Sequence, residues 1–141
     1  MEPFKTTREI PATIDEVFAA FSNADRLERW WGPAGFTNTF HICEFEPGGR
    51  WSFTMHSPNG GNPGNEIIFE TIDAPQKIVI RHISLPLYRL TIDLKPSKTG
   101  TTVSWSQQFD DDDVARRIEK IVRPANEQNL DRLTAEVIRQ S

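Results

Sequence analysis

Cysteine is nearly absent from this chain of 141 residues: Cys43 stands alone, so no internal disulfide can staple the fold. Long apolar runs are missing too, and none approaches the roughly 20 residues a membrane-crossing helix needs. There is no basic stripe. The 16 Lys and Arg residues are scattered, usually beside acids, and against 20 Asp and Glu they leave a net charge of −4. Nucleic-acid binding rests on clustered cations meeting phosphates, so it is not expected. The chain holds no Gly-x-Ser-x-Gly elbow, no phosphate-binding glycine loop and no zinc-protease signature. Its opening residues, Met1-Glu2-Pro3-Phe4-Lys5, lack the basic start and apolar block of a secretion signal. The expectation is a cytoplasmic protein with no membrane partner and no cofactor.

Aromatic side chains are plentiful: nine Phe, four Trp and one Tyr. With 37% hydrophobic and 26% charged residues, the composition is that of a globular protein, and the length suits one domain over residues 1–141. Phe4 to Ile10 alternates loosely and reads as a first strand. Thr13-Ile14-Asp15-Glu16 is a capping box, and Ile14, Val17, Phe18 and Phe21 follow at helical spacing. A second short helix, capped by Ser22 or Asn23, runs from Ala24 to Trp30 and stops at Gly32-Pro33.

From Phe36 to Phe109 the period becomes two. Six strands are predicted, at 36–45, 50–56, 65–72, 77–84, 88–95 and 101–109, separated by turn residues such as Pro47-Gly48-Gly49 and the Gly-rich stretch 59–64. Short connections make this an antiparallel meander. The Gly48-Gly49 pair is placed to let the sheet bend. Asp110-Asp111-Asp112-Asp113 opens a long terminal helix, where capping and the helix dipole account for the acids. Its apolar residues fall in two sets, Val114, Ile118, Ile121, Val122 and Ala125, then Leu130, Leu133 and Val137, centred roughly 100° apart. Pro124 sits at the changeover and predicts a kink there, with a break into two helices as the alternative. The layout is α+β: a curved antiparallel sheet of about seven strands covered by the terminal helix.

The densest feature is Arg29-Trp30-Trp31-Gly32-Pro33, followed by Phe45-Glu46-Pro47-Gly48-Gly49-Arg50-Trp51. Trp30, Trp31, Phe36, Trp51, Phe53, Met55 and Trp105 suit either a solid core or the wall of a cavity, and both readings stand at this level. Gln107 alternates in phase with Trp105, so it needs a partner, which a ligand, a water or Asn126 would supply. Ile118 and Val122 place the helix on the same cavity. His82 shares a face with Ile78 and Ile80 and is the one imidazole suited to proton transfer there, although a structural histidine fits as well. His56 falls on the face opposite Trp51, Phe53 and Met55. His41 and Cys43, two apart on one strand, offer a metal only two ligands on one face, so no metal site is expected.

Three motifs carry a resemblance: Arg29-Trp30-Trp31-Gly32-Pro33 with Gly35-Phe36, Pro47-Gly48-Gly49-Arg50-Trp51, and Asn129-Leu130-Asp131-Arg132-Leu133. With the order of elements, they resemble the START/Bet v 1-like (SRPBCC) superfamily, in the branch named for the activator of Hsp90 ATPase (AHSA1-like). The likeness covers about residues 4 to 139. It implies a helix-grip fold with a largely apolar pocket between sheet and terminal helix, and a small hydrophobic, aromatic or lipid-like ligand. An enzyme of cyclase or hydrolase type using the same pocket is the alternative reading. An Hsp90-linked co-chaperone module is a second alternative, resting on the branch name alone. A homodimer through an exposed aromatic edge is left open.

Overall fold

The computed structural model describes residues 1–140, with side chains through Arg139. Its elements follow the order β1 (Phe4–Ile10), α1 (Ile14–Ser22), α2 (Ala24–Trp30), β2 (Thr37–Cys43), β3 (Arg50–His56), β4 (Gly64–Asp73), β5 (Lys77–His82), β6 (Tyr88–Pro96), β7 (Thr101–Phe109) and α3 (Asp112–Gln140). The strands form one antiparallel sheet in the order β1-β7-β6-β5-β4-β3-β2. The chain therefore leaves β1 at one edge, crosses through α1 and α2, and returns along a meander from β2 at the other edge. This is the helix-grip architecture, with α3 lying against the concave face.

Local chemistry sets the helix ends. Thr13 Oγ1 accepts from the Glu16 amide at 3.2 Å while the Thr13 amide donates to Glu16 Oε1 at 3.1 Å, closing the capping box. Asn23, not Ser22, caps α2, its Oδ1 accepting from the Arg26 amide at 3.2 Å. Asp111 caps α3, accepting from the Asp113 and Val114 amides. The turn before β3 depends on Gly49: a Cβ there would stand 1.9 Å from the Glu44 carbonyl oxygen. That is far inside van der Waals contact, so only glycine lets this turn fold back against β4.

One expectation needs correction, and one pair of alternatives is narrowed. His41 and Cys43 do not share a face. A β-bulge between Phe40 and Ile42 shifts the register, so Phe40 pairs with Phe53 and Cys43 with Trp51. The extra residue turns Cys43 toward the core and leaves His41 exposed, 2.9 Å from the Thr54 hydroxyl. The Cys43 thiol is pushed up to about 11 by burial and by the Glu28 charge, which keeps it protonated and inert near neutrality. Of the two readings at Pro124, the break into two helices is excluded, because the terminal helix runs unbroken for 29 residues, roughly 44 Å.

The two apolar sets of α3 serve different clusters. Ala115, Ile118 and Val122 pack with Phe4, Phe109 and Tyr88. Leu130, Leu133 and Val137 join the main core of Val17, Phe21, Trp30, Trp51, Phe69 and the central strands. Ile121 belongs to neither and is 70% exposed. One unbroken helix can therefore present both sets, because the clusters lie at different places along the sheet. Among the described residues no helix is long and apolar enough to cross a membrane.

Candidate functional site

Between the two clusters the sheet and α3 stand apart except where Asn126 bonds Gln107. A chamber of about 150 Å³ separates them. Its floor is Met55, Asn65, Tyr88, Leu90, Trp105 and Gln107 from β3, β4, β6 and β7; its roof is Val122, Ala125, Asn126 and Asn129 from α3; its end is the turn Trp31-Gly32-Pro33. The roof lies at the change of stripe around Pro124, where the helix turns its short and polar side chains to the sheet. A longer side chain at 125, 126 or 129 would bridge the gap.

Of the residues singled out from sequence, Trp31, Met55, Trp105, Gln107, Val122 and Asn126 line this chamber. Gln107 and Asn126 meet across it, Asn126 Nδ2 donating to Gln107 Oε1 at 3.0 Å. The remaining six do not reach it. Trp30 packs edge-on to Phe21 with centroids 5.0 Å apart, and its indole N–H donates to the Ala20 carbonyl at 2.9 Å. Trp51 lies in a stack, 4.8 Å from Phe53 and 5.5 Å from Phe69, behind Trp31. Phe53 is sealed in that stack, Phe36 sits outside the turn against Gly32, and Ile118 packs in the cluster with Phe4 and Phe109. Sequence reasoning missed Tyr88, Leu90 and Asn65. The alternation Tyr88-Leu90-Ile92 carried the signal for the first two. Asn65 had none, because its strand begins in the Gly-rich turn.

His82 stands one layer back. Its ring stacks on Tyr88 with centroids 4.5 Å apart and 8° between planes, so the tyrosine separates it from the chamber. Its Nδ1 lies 2.7 Å from the Pro86 carbonyl oxygen and its Nε2 2.7 Å from Asn65 Oδ1. Burial holds the His82 pKa below the usual value, and the bonds to the Pro86 and Ser84 backbone only partly oppose this. The folded protein thus resists a proton that the unfolded chain accepts near pH 6.5. Stability is expected to fall as pH drops through about 6.5 toward the folded value, since the unfolded state there binds more protons. Urea unfolding across pH 7.5 to 5 checks this; in His82→Gln that part of the decline should vanish.

Tyr88 is the one ionisable side chain on the chamber wall, and burial raises its pKa out of the physiological range. Trp105 is 2% exposed and its indole N–H has no partner; Trp51 shares this condition. Burying an indole gains about 4–6 kcal/mol from area, against about 1–3 kcal/mol for an unpaired donor, so the fold tolerates both.

A clasp fixes the end of the chamber. Asn129 Oδ1 accepts from the Gly32 amide at 3.1 Å. Arg132 Nη1 donates to the carbonyls of Trp31, Gly32 and Pro33 at 3.2, 3.0 and 2.9 Å, and its Nη2 to that of Arg29 at 2.9 Å. No carboxylate among the described residues bonds this guanidinium, and burial lowers its pKa. Gly32 has φ +100°, a conformation that strains any side chain, and a Cβ on it would stand 2.7 Å from Met55 Cε and push the thioether aside. One turn further along α3, Glu136 is 5% exposed and accepts from Arg26, Arg29 and Arg139 at 2.8–3.1 Å. Burial opposes its charge, but the Arg29 and Arg26 bonds outweigh that and hold its carboxyl below the usual range. A larger open cleft of about 540 Å³ lies outside this network, lined by Arg29, Arg132, Glu136 and Arg139 among others. Its charged groups are largely committed to one another or to backbone, so the smaller chamber is the better candidate for a ligand.

The clasp joins Arg29–Pro33 to Asn129–Leu133, and Trp51 of the remaining motif packs edge-on against Trp31. A family model described as "Activator of Hsp90 ATPase homolog 1-like protein" matches residues 11–137. The chain belongs to this family. Among solved structures, an AHSA1 protein from Silicibacter pomeroyi is 19% identical with a TM-score of 0.78, covering 99% of each chain. A protein from Nitrosomonas europaea is 15% identical with a TM-score of 0.89, covering 99% of this chain and 96% of its own. One from Arthrobacter aurescens is 22% identical, again with a TM-score of 0.89, covering 97% and 86%. At these identities the likeness is one of fold. No curated protein matches the chain. The AHSA1-like fold is compatible with a ligand held between sheet and helix. Among the described residues no group of three or more His, Cys, Asp or Glu is placed to hold a metal ion.

Proposed function

We propose that this protein binds a compact, largely apolar small molecule in the chamber between the sheet and α3. The observation that carries the reading is the gap itself, about 150 Å³ bordered by Trp31, Leu90, Trp105 and Val122 with a few polar groups on its wall. Pockets for drug-sized ligands run to roughly 300–1,000 Å³, whereas a cavity of about 150 Å³ admits a benzene-sized guest. The size favours a single ring over a lipid or sterol. Entry is at the Met55 end, where the loop after β3 packs Pro58 against Gly35 and can part from the 32–36 turn. The enzyme reading needs a group in contact with the guest that exchanges a proton near neutral pH; His82 is screened by Tyr88, and burial keeps the Tyr88 hydroxyl protonated, so binding is the better supported role.

Toluene and cyclohexanone, titrated into ¹⁵N-labelled protein, are expected to shift the indole signals of Trp31 and Trp105 saturably. Ala125→Leu, which fills the roof, should abolish those shifts while leaving the fold intact by circular dichroism. If no ring-sized probe perturbs either indole, or if Ala125→Leu binds as well as wild type, the chamber is not the binding site.

A further inference from the structure

The open cleft of about 540 Å³ beside the Glu136 network carries more positive than negative charge. Arg29, Arg132 and Arg139 line it together with Glu28 and Glu136. Arg26 joins the same network through Glu136 at 3.1 Å. Four guanidinium groups thus stand against two carboxylates, in a chain whose net charge is −4. The groups are committed, yet their charges do not cancel. Glu136 alone answers Arg26, Arg29 and Arg139. Glu28 Oε2 accepts from the Phe40 amide at 2.8 Å, and Glu28 makes no ion pair among the described residues. Arg132 directs its hydrogen bonds to four carbonyls, which carry only partial charge. Asp25 also acts on Arg29, but more weakly, and it lies outside the lining. Donors are left over as well. Arg29 bonds Glu136 through Nε and Nη2, which leaves Nη1; Arg139 bonds it through Nη2 alone, which leaves Nε and Nη1. Both side chains reach solvent, at 45% and 59% exposed.

We infer that this cleft is a second binding site, for a small molecule carrying two negative charges on oxygen, as a phosphate or a pair of carboxylates. Arg29 and Arg139 are its direct donors, and Arg132 supplies a charge on the wall that no carboxylate offsets. Guanidinium forks match either oxyanion in two-bond geometry. A concave wall of low dielectric concentrates the field of an unbalanced charge, so the cleft draws anions although the protein as a whole is acidic. A monoanion would leave one positive charge unanswered, and a neutral guest both. The volume lies within the usual range for small-molecule sites. The inference goes beyond the chamber and does not depend on it.

Sodium phosphate and sodium malonate, titrated at constant ionic strength into ¹⁵N-labelled protein, are the probes, read at the Nε–H signals of Arg29 and Arg139. Both should shift these signals saturably, and sodium chloride should not. Arg139→Gln removes an exposed cation at little expense to the fold and should raise the Kd about fivefold. Glu28→Gln keeps an acceptor for the Phe40 amide but removes a negative charge, and it should lower the Kd by about the same factor. A response to one probe only would name the oxyanion and uphold the site. Phosphatidylglycerol vesicles should leave the protein in the supernatant; sedimentation that malonate reverses would make the oxyanion a lipid headgroup on the same arginines. No saturable shift, or a Kd that neither substitution moves, would reduce the effect to surface screening and overturn the inference, with the chamber left standing.

Discussion

Glu136→Ala is expected to lower the unfolding free energy by about 3–5 kcal/mol, the usual consequence of deleting one partner from a buried ion pair. The side chain is 3% exposed and Arg26, its deepest partner, 15%. Without the carboxylate, Arg26 keeps its charge in a poorly hydrated place, and Arg29 loses both bonds that hold it against α3. Arg139→Ala is the control. That guanidinium is 59% exposed, so its pair with Glu136 should be worth under about 1 kcal/mol. The acid limb gives a second readout. With its folded pKa below the ordinary carboxyl value, Glu136 contributes full stability above the unfolded pKa of about 4.3, and this is lost as pH falls through the folded value. Urea unfolding at pH 7 and in acid measures both. A loss under about 1 kcal/mol for Glu136→Ala would show the arginines to be decoration on the surface.

Arg132→Met should be nearly as damaging, at about 3 kcal/mol, and it should also weaken binding of cyclohexanone. Methionine keeps much of the apolar stem but strands the four carbonyls that the guanidinium serves, and hydrogen bonds from charged donors are worth about 1.5–3 kcal/mol each before relaxation and water recover part of it. The four oxygens belong to Arg29, Trp31, Gly32 and Pro33, and Trp31, Gly32 and Pro33 form the end of the chamber. Loosening that turn loosens the place where a guest is held. Arg132→Lys should recover only part of the loss, because an ammonium cannot reach four acceptors in one planar fork. Binding that survives Arg132→Met unchanged, in protein shown to have lost stability, would separate the clasp from the site.

The fold was largely legible from local signals. The capping box at Thr13, the period-two alternation from 36 onward and the turn residues between strands are each decided within a few neighbours. The three motifs extended that reading to the family. The chamber was legible only by half, for a physical reason. Trp30, Trp51 and Phe53 share composition and phase with Trp31 and Trp105, and which aromatics border a void depends on where two remote surfaces fail to touch. The Gln107–Asn126 bond was foreseeable because a buried amide on an apolar face must be answered. The outward turn of His41 was not, because a single bulged residue inverts the pleat without any change in composition. The unbroken course of α3 escaped for a related reason: two apolar sets look incompatible until the sheet is seen to offer them separate landing places.

The clasp also has a consequence in time. Arg132 lies 99 to 103 residues along the chain from the carbonyls it serves. At synthesis rates of about 5–20 residues per second, the Trp30-Trp31 segment emerges roughly 5–20 s before the side chain that will tie it down has been made. Through that interval two indoles and the first strand must wait in the nascent chain. The newborn protein therefore carries its stickiest surface earliest and conceals it last, which makes the speed with which the final helix arrives a determinant of yield.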